Sequence, residues 1–85
     1  MMSKGLTLRI LTPEGPAFEG GVDAVFVPGT AGRFEILPGH APIVSSLAQG
    51  ELKWREAGEL RGFAVRSGAL ILKNNELTVC AEPER

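Results

Sequence analysis

Glycine and proline punctuate this chain so regularly that they constrain its fold more than any other feature. Eleven glycines and six prolines are spread along 85 residues. They break the sequence about every eight to twelve residues, the spacing of an all-β sandwich or barrel. No window sustains a helical period. Thr7 to Leu11 predicts a first strand, with Leu8 and Ile10 on one face and Thr7 and Arg9 on the other. Pro13-Glu14-Gly15-Pro16 is a turn, and Ala17-Phe18-Glu19 a short strand ended by Gly20-Gly21. Asp23 to Val27 is apolar on both faces, as a central strand would be.

The second half continues the pattern. Phe34 and Ile36 alternate with Glu35, whereas residues 43–47 fit either a strand or a brief turn. Glu51 to Glu56 and Glu59 to Arg66 form a hairpin around Ala57-Gly58, with an exposed charged face. Gly68 permits a kink before Ala69 to Leu72. Asn74-Asn75 make the last tight turn, since asparagine tolerates the left-handed conformation. Leu77 to Cys80 closes the sheet, and the polar tail Glu82-Pro83-Glu84-Arg85 reads as loose. About nine or ten short strands in two layers is the natural packing.

Composition narrows the function. Nine basic against ten acidic residues leave a net charge of −1, which argues against nucleic acid as a partner, since phosphate binding needs a concentrated basic face. The 44% hydrophobic content supports a packed core. No apolar run approaches the roughly eighteen residues that span a bilayer. The start, Met1-Met2-Ser3-Lys4-Gly5, lacks the apolar stretch of a secretory signal. One cysteine excludes an internal disulfide and fits a reducing compartment. Cys80 itself reads as a small buried apolar residue. One Cys and one His do not make a metal site.

Chemistry-bearing motifs are scarce. Gly29 and Gly32 invite a phosphate-loop reading, but Arg33 and a strand follow where the motif needs Lys-Ser/Thr and a helix. Ser45, Ser46 and Ser67 are not in a nucleophile elbow. His40 lacks a linear motif supplying a nucleophile or an acid partner. It reads as a loop residue whose ring caps a backbone group, or as a polar anchor at an interface; a small hydrolase using His40 is a remote rival. Trp54 reads as half-buried on the sandwich face, with an interface anchor as its alternative.

The densest information lies in Pro28-Gly29-Thr30-Ala31-Gly32-Arg33-Phe34-Glu35-Ile36-Leu37-Pro38-Gly39-His40-Ala41-Pro42, where two stiff Pro-Gly bends bracket one apolar strand. Such a run shapes a surface. In this order it resembles the signature of the epsilon subunit of F-type ATP synthase, the counterpart of the mitochondrial delta subunit. Leu8-Arg9-Ile10-Leu11-Thr12-Pro13-Glu14-Gly15, Gly50-Glu51-Leu52, Phe63 to Leu70 and Asn74 to Val79 are similar to further blocks of that family, in the same order.

The resemblance implies a flattened all-β sandwich or barrel of about ten short strands in two sheets, a single domain over residues 1–85. It implies a non-catalytic rotor subunit with no cofactor and no metal. Such a subunit links the gamma subunit to the ring of membrane c subunits and couples proton translocation to ATP synthesis. The positions matching the gamma-facing surface are Thr12, His40 and Ser45. Those matching the c-ring-facing loop are Gly29, Thr30, Ala31, Gly32, Arg33 and Glu35. Members often carry a small acidic or neutral residue where Arg33 stands, and glycine where Glu35 stands. Arg33 would repel a basic c loop unless Glu35 or a changed c loop compensates, so an acid on the cognate c loop is expected. Membrane association is expected only through the complex, at the cytoplasmic face of a bacterial inner membrane, with a plastid thylakoid as the lesser alternative. Many bacterial members continue into a two-helix domain, and that helical hairpin is expected to be absent from this chain. The alternative function is a free-standing β-sandwich adaptor for another protein.

Overall fold

Strict alternation along β1 (Leu6–Thr12) sets the inside of the molecule. Leu6, Leu8 and Ile10 are completely buried, while Thr7 and Arg9 face out. A fully buried side chain of this size contributes about 1.5–3 kcal/mol. The computed structural model describes residues 5–84, and the reading of the leader falls on residues that lie mostly outside that range. β1 lies between β2 (Gly15–Val22), its antiparallel hairpin partner, and β8 (Glu76–Pro83), which runs parallel to it. The remaining strands are β3 (Ala24–Gly29), β4 (Gly32–Ile36), β5 (Ile43–Leu47), β6 (Gly50–Glu56) and β7 (Glu59–Lys73).

The fold is an all-β sandwich. One layer is β2-β1-β8, the second half of β7, and β5; the other is β4-β3-β6 and the first half of β7. Inward residues of both layers form one core, including Leu8, Leu77 and Leu70 from the first and Val25, Leu52 and Val65 from the second. Eight strands do this work among the described residues, because β7 runs unbroken for 15 residues and serves both layers. Residues 59–65 pair with β6, and residues 68–72 with β5. The register against β8 shifts between Val65 and Ser67, so Arg66 is the bulge that redirects the strand. Gly68 lies two residues beyond that bend. A Cβ there would collide with the Cys80 carbonyl oxygen, so the residue marks a close backbone approach.

Other expectations change in the folded chain. β2 continues through Gly20 and Gly21 to Val22, because pairing with β1 carries the strand past both glycines. Pro28 and Gly29 are strand residues, and the bend falls at Thr30-Ala31. Pro28, with no N–H to donate, sits between the stretch of β3 that pairs with β6 and the point at Gly29 that pairs with β5. The tail is tied down as far as Glu84: β8 reaches Pro83, the Glu84 N–H donates to the Ala64 carbonyl (3.0 Å), and Gln49 donates to the Glu84 carboxylate (3.0 Å). Trp54 is 4% exposed and therefore a core residue. Its ring packs on Phe18 of the other layer, with centroids 4.7 Å apart and planes tilted 38°. Cys80 is exposed, because it alternates with buried Val79 and Ala81 and takes the outward position.

Candidate functional site

The two outer faces of the sandwich differ in chemistry, and both follow from strand register. On the first layer, Val44 of β5 stands beside Ile71 of β7, then Thr78 of β8 and Arg9 of β1. The next row runs Ser46, Ala69, Cys80 and Leu11. Val44 is 73% exposed and Ile71 51%. With Pro42 and Lys73 they border a shallow groove of about 240 Å³. Charge of both signs enters this face at its β1–β2 edge, where Arg9 pairs with Glu19 at 3.2 Å.

The second layer presents charges. Glu35, Phe26, Lys53 and Gly62 share one row, and Arg55 faces Leu60 in the next. Lys53 lies 3.7 Å from Glu51, and the Arg55 guanidinium sits 5.8 Å from the Phe26 ring centre; Arg61 and Glu56, 3.5 Å apart, lie on the hairpin's other side, the one that carries Leu52 and Trp54. Exposed pairs of this kind stabilise a fold by about 0–1 kcal/mol each. This is the charged hairpin face expected from the alternation.

The β3–β4 hairpin tip holds the loop residues singled out in the sequence. Thr30, Ala31, Gly32 and Arg33 are exposed, and Glu35 lies on the charged outer face. Gly29 is buried: a Cβ would meet the Gly32 carbonyl oxygen at 2.8 Å and the Phe34 ring at 2.9 Å. Its role is to let the hairpin close. The tip is fastened to the end of β5. The Thr30 N–H donates to the Ser46 carbonyl (3.2 Å), the Thr30 and Ser46 hydroxyls share a 2.7 Å hydrogen bond, and the Ala48 N–H donates to the Pro28 carbonyl (2.7 Å). Arg33 donates to the Glu51 carbonyl at 3.2 Å, which lays its guanidinium beside β6.

Thr12, His40 and Ser45 are not gathered into one cluster. The Thr12 hydroxyl closes the β1–β2 turn, donating to the Gly15 carbonyl (2.7 Å) and accepting from the Glu14 N–H (3.2 Å). His40 belongs to the 37–42 loop, which is held against the β7–β8 turn at the opposite end of β1. Five residues of strand separate the two ends, roughly 16 Å. Ser45 pairs with Leu70, next to the Ser46 that fastens the hairpin tip. The His40 ring does cap a backbone group: Nδ1 lies 2.7 Å from the Ala41 carbonyl oxygen.

Sequence reasoning missed Val44 and Ile71 as surface residues. Their signal was present. Ile71 stands between Leu70 and Leu72, and a strand that is apolar at consecutive positions is apolar on both faces.

Among the described residues, no group of three or more His, Cys, Asp or Glu is placed to hold a metal ion, and no helix is long and apolar enough to cross a membrane. The described residues form a close-packed sandwich with one apolar outer face and one braced hairpin tip. Residues 5–83 match the family described as ATP synthase, Delta/Epsilon chain, beta-sandwich domain. The chain belongs to that family.

Relatives agree with the match. The ATP synthase epsilon chain of Leptospira borgpetersenii is 34% identical over 82 residues, covering 96% of this chain and 65% of the relative. That of Synechococcus elongatus is 39% identical over 74 residues, covering 87% of this chain and 54% of the relative. The chain thus spans less than two-thirds of the length of these curated relatives. Among solved structures, a chain of the Euglena gracilis mitochondrial ATP synthase (OSCP/F1/c-ring) superposes with a TM-score of 0.86 at 17% identity, covering 95% of this chain and 52% of that one. A chain of the Tetrahymena thermophila mitochondrial ATP synthase central stalk/c-ring gives 0.78 at 17% identity, covering 96% and 66%. These likenesses establish the fold.

Proposed function

We propose that this chain is a central-stalk subunit of an F-type ATP synthase, joining the gamma subunit to the c ring so that proton translocation drives ATP synthesis. It carries out no bond chemistry in this role. What it supplies is stiffness under load. Protein interiors pack like organic crystals and transmit strain with little give, and this core runs through both layers. The observation that carries the reading is the pair of unlike surfaces on a body measuring 40 × 23 × 21 Å. The face around Val44 and Ile71 offers apolar area to the gamma shaft, together with the His40 loop. The exposed tip at residues 30–33 offers backbone and Arg33 to the polar loops of the ring. Each interface needs roughly 1,000 Å² in total to be stable. The subunit is then peripheral, held at the cytoplasmic face of a bacterial inner membrane by the complex alone.

Co-purification tests the reading. The chain should retain its cognate gamma subunit on a column, and the pair should retain the c ring. Failure to bind gamma overturns the stalk assignment in favour of an adaptor for another protein. Arg33→Glu sharpens the ring contact: it should weaken ring binding at least tenfold if an acidic c loop faces Arg33. Unchanged ring binding rejects that pairing.

A further inference from the structure

We propose that Asn75 is the positioning residue for His40: its side chain, reaching from the β7–β8 turn, holds the 37–42 loop in its partner-ready shape. The inference rests on the stalk reading above for its partner and on the structure for its mechanism. The Gly39 N–H donates to Asn75 Oδ1 at 2.7 Å. The same residue is anchored through its main chain, where its carbonyl accepts from the Thr7 N–H of β1 at 2.8 Å. Asn75 therefore connects the loop to the central strand through one side chain. Inside the loop, the His40 N–H donates to the Leu37 carbonyl at 3.1 Å. His40 Nδ1 lies 2.7 Å from the Ala41 carbonyl oxygen. A carbonyl only accepts, so Nδ1 carries the hydrogen, and in the neutral imidazole Nε2 is left as the acceptor. The loop thus delivers one hydrogen-bond acceptor, aimed by two internal bonds and one external bond.

The turn itself does not need this side chain. Asn74 and Asn75 both have left-handed φ, 53° and 62°, and glycine satisfies such a turn equally well. Asn74 shares the conformation, and no bond from it to the loop occurs among the described residues. The turn conformation accounts for Asn74; for Asn75 it leaves the Oδ1 bond to Gly39 unexplained.

That contrast supplies the experiment, run on the full chain by amide exchange and by titration with the cognate gamma subunit. Asn75→Gly keeps the backbone and deletes the acceptor. Gly39 exchange should accelerate about fivefold, the value of one ordinary hydrogen bond, and gamma affinity should fall about as much. Asn75→Asp, which keeps an acceptor and tolerates the left-handed region, should restore both. Asn74→Gly should change neither. Unaltered Gly39 exchange in Asn75→Gly overturns the latch. Faster exchange with undiminished affinity overturns its role in positioning, and so does an equal loss of affinity in Asn74→Gly. A wild-type chain that does not bind gamma overturns the stalk reading instead, and the exchange rates then judge the latch without a partner.

Discussion

The outer face of the β6–β7 hairpin and the outer face of β5, β8 and the end of β7 are built on one shared strand, yet they have opposite character. Along residues 59–65 of β7 the outer neighbours are Glu51, Lys53 and Arg55, which pair with other charges or cover Phe26. Along residues 68–73 they are Val44, Ser46 and Cys80, and Val44 and Ile71 stand in the open. The first face is mainly charged, although Leu60 stands 52% exposed on it. The second leaves Val44 and Ile71 side by side and uncovered, the area that the proposed stalk role gives to a partner. The lesson is that one strand can carry charged and apolar outer faces along different stretches, with the Arg66 bulge as the boundary.

Substitutions can break or sharpen that contrast, and the largest effects strike the core common to both faces. Trp54→Ala should cost about 4 kcal/mol in urea unfolding, in one cooperative transition that removes both faces together; two separate transitions would mean the faces are independent units. Trp54→Phe should cost far less, since the buried Nε1–H has no hydrogen-bond partner to lose. Gly68→Val should cost about 3 kcal/mol, because its Cβ would collide with the Cys80 carbonyl where β7 crosses between layers. A stability unchanged within error would show that the crossing can shift.

Next come the faces themselves. Val44→Asp and Ile71→Asp should leave stability within about 0.5 kcal/mol while weakening gamma binding at least tenfold by isothermal titration. Lys53→Glu on the opposite face should alter neither quantity appreciably, and equal losses of gamma binding on both faces would erase the distinction. Arg61→Ala should be the smallest effect, under about 0.5 kcal/mol in the same unfolding assay, as expected for an exposed pair with Glu56.

Much of this architecture was legible from local pattern. The alternation of Leu8 and Ile10 gave an inward face, which Leu6 extends, and Asn74-Asn75 and Ala57-Gly58 gave tight turns with left-handed φ at each position. What failed depended on partners distant in sequence. Gly20 and Gly21 looked like strand breakers until β1 paired with them. Cys80 looked buried by residue type, whereas its position in the alternation decided otherwise. Trp54 looked half-exposed because nothing nearby announced that Phe18 would cover it from the other layer. The candidate surface was legible only in part. The hairpin lay where its Pro-Gly run suggested, with the bend two residues further on at Thr30-Ala31, but Thr12 and His40 were placed at opposite ends of β1 by a topology that no short motif encodes.

The parallel pairing of β1 with β8 has a consequence for how the molecule is made. The strand that begins the sandwich lacks its second neighbour until the last strand has been synthesised. On a translating ribosome, residues 6–12 must therefore wait with one buried edge bare while the rest of the domain emerges, and the core cannot seal until residue 83 clears the exit tunnel. Long-range strand pairing of this kind belongs to the slower class of small-domain folding, on the order of milliseconds to seconds. The nascent chain is most exposed to aggregation and proteolysis during that final delay.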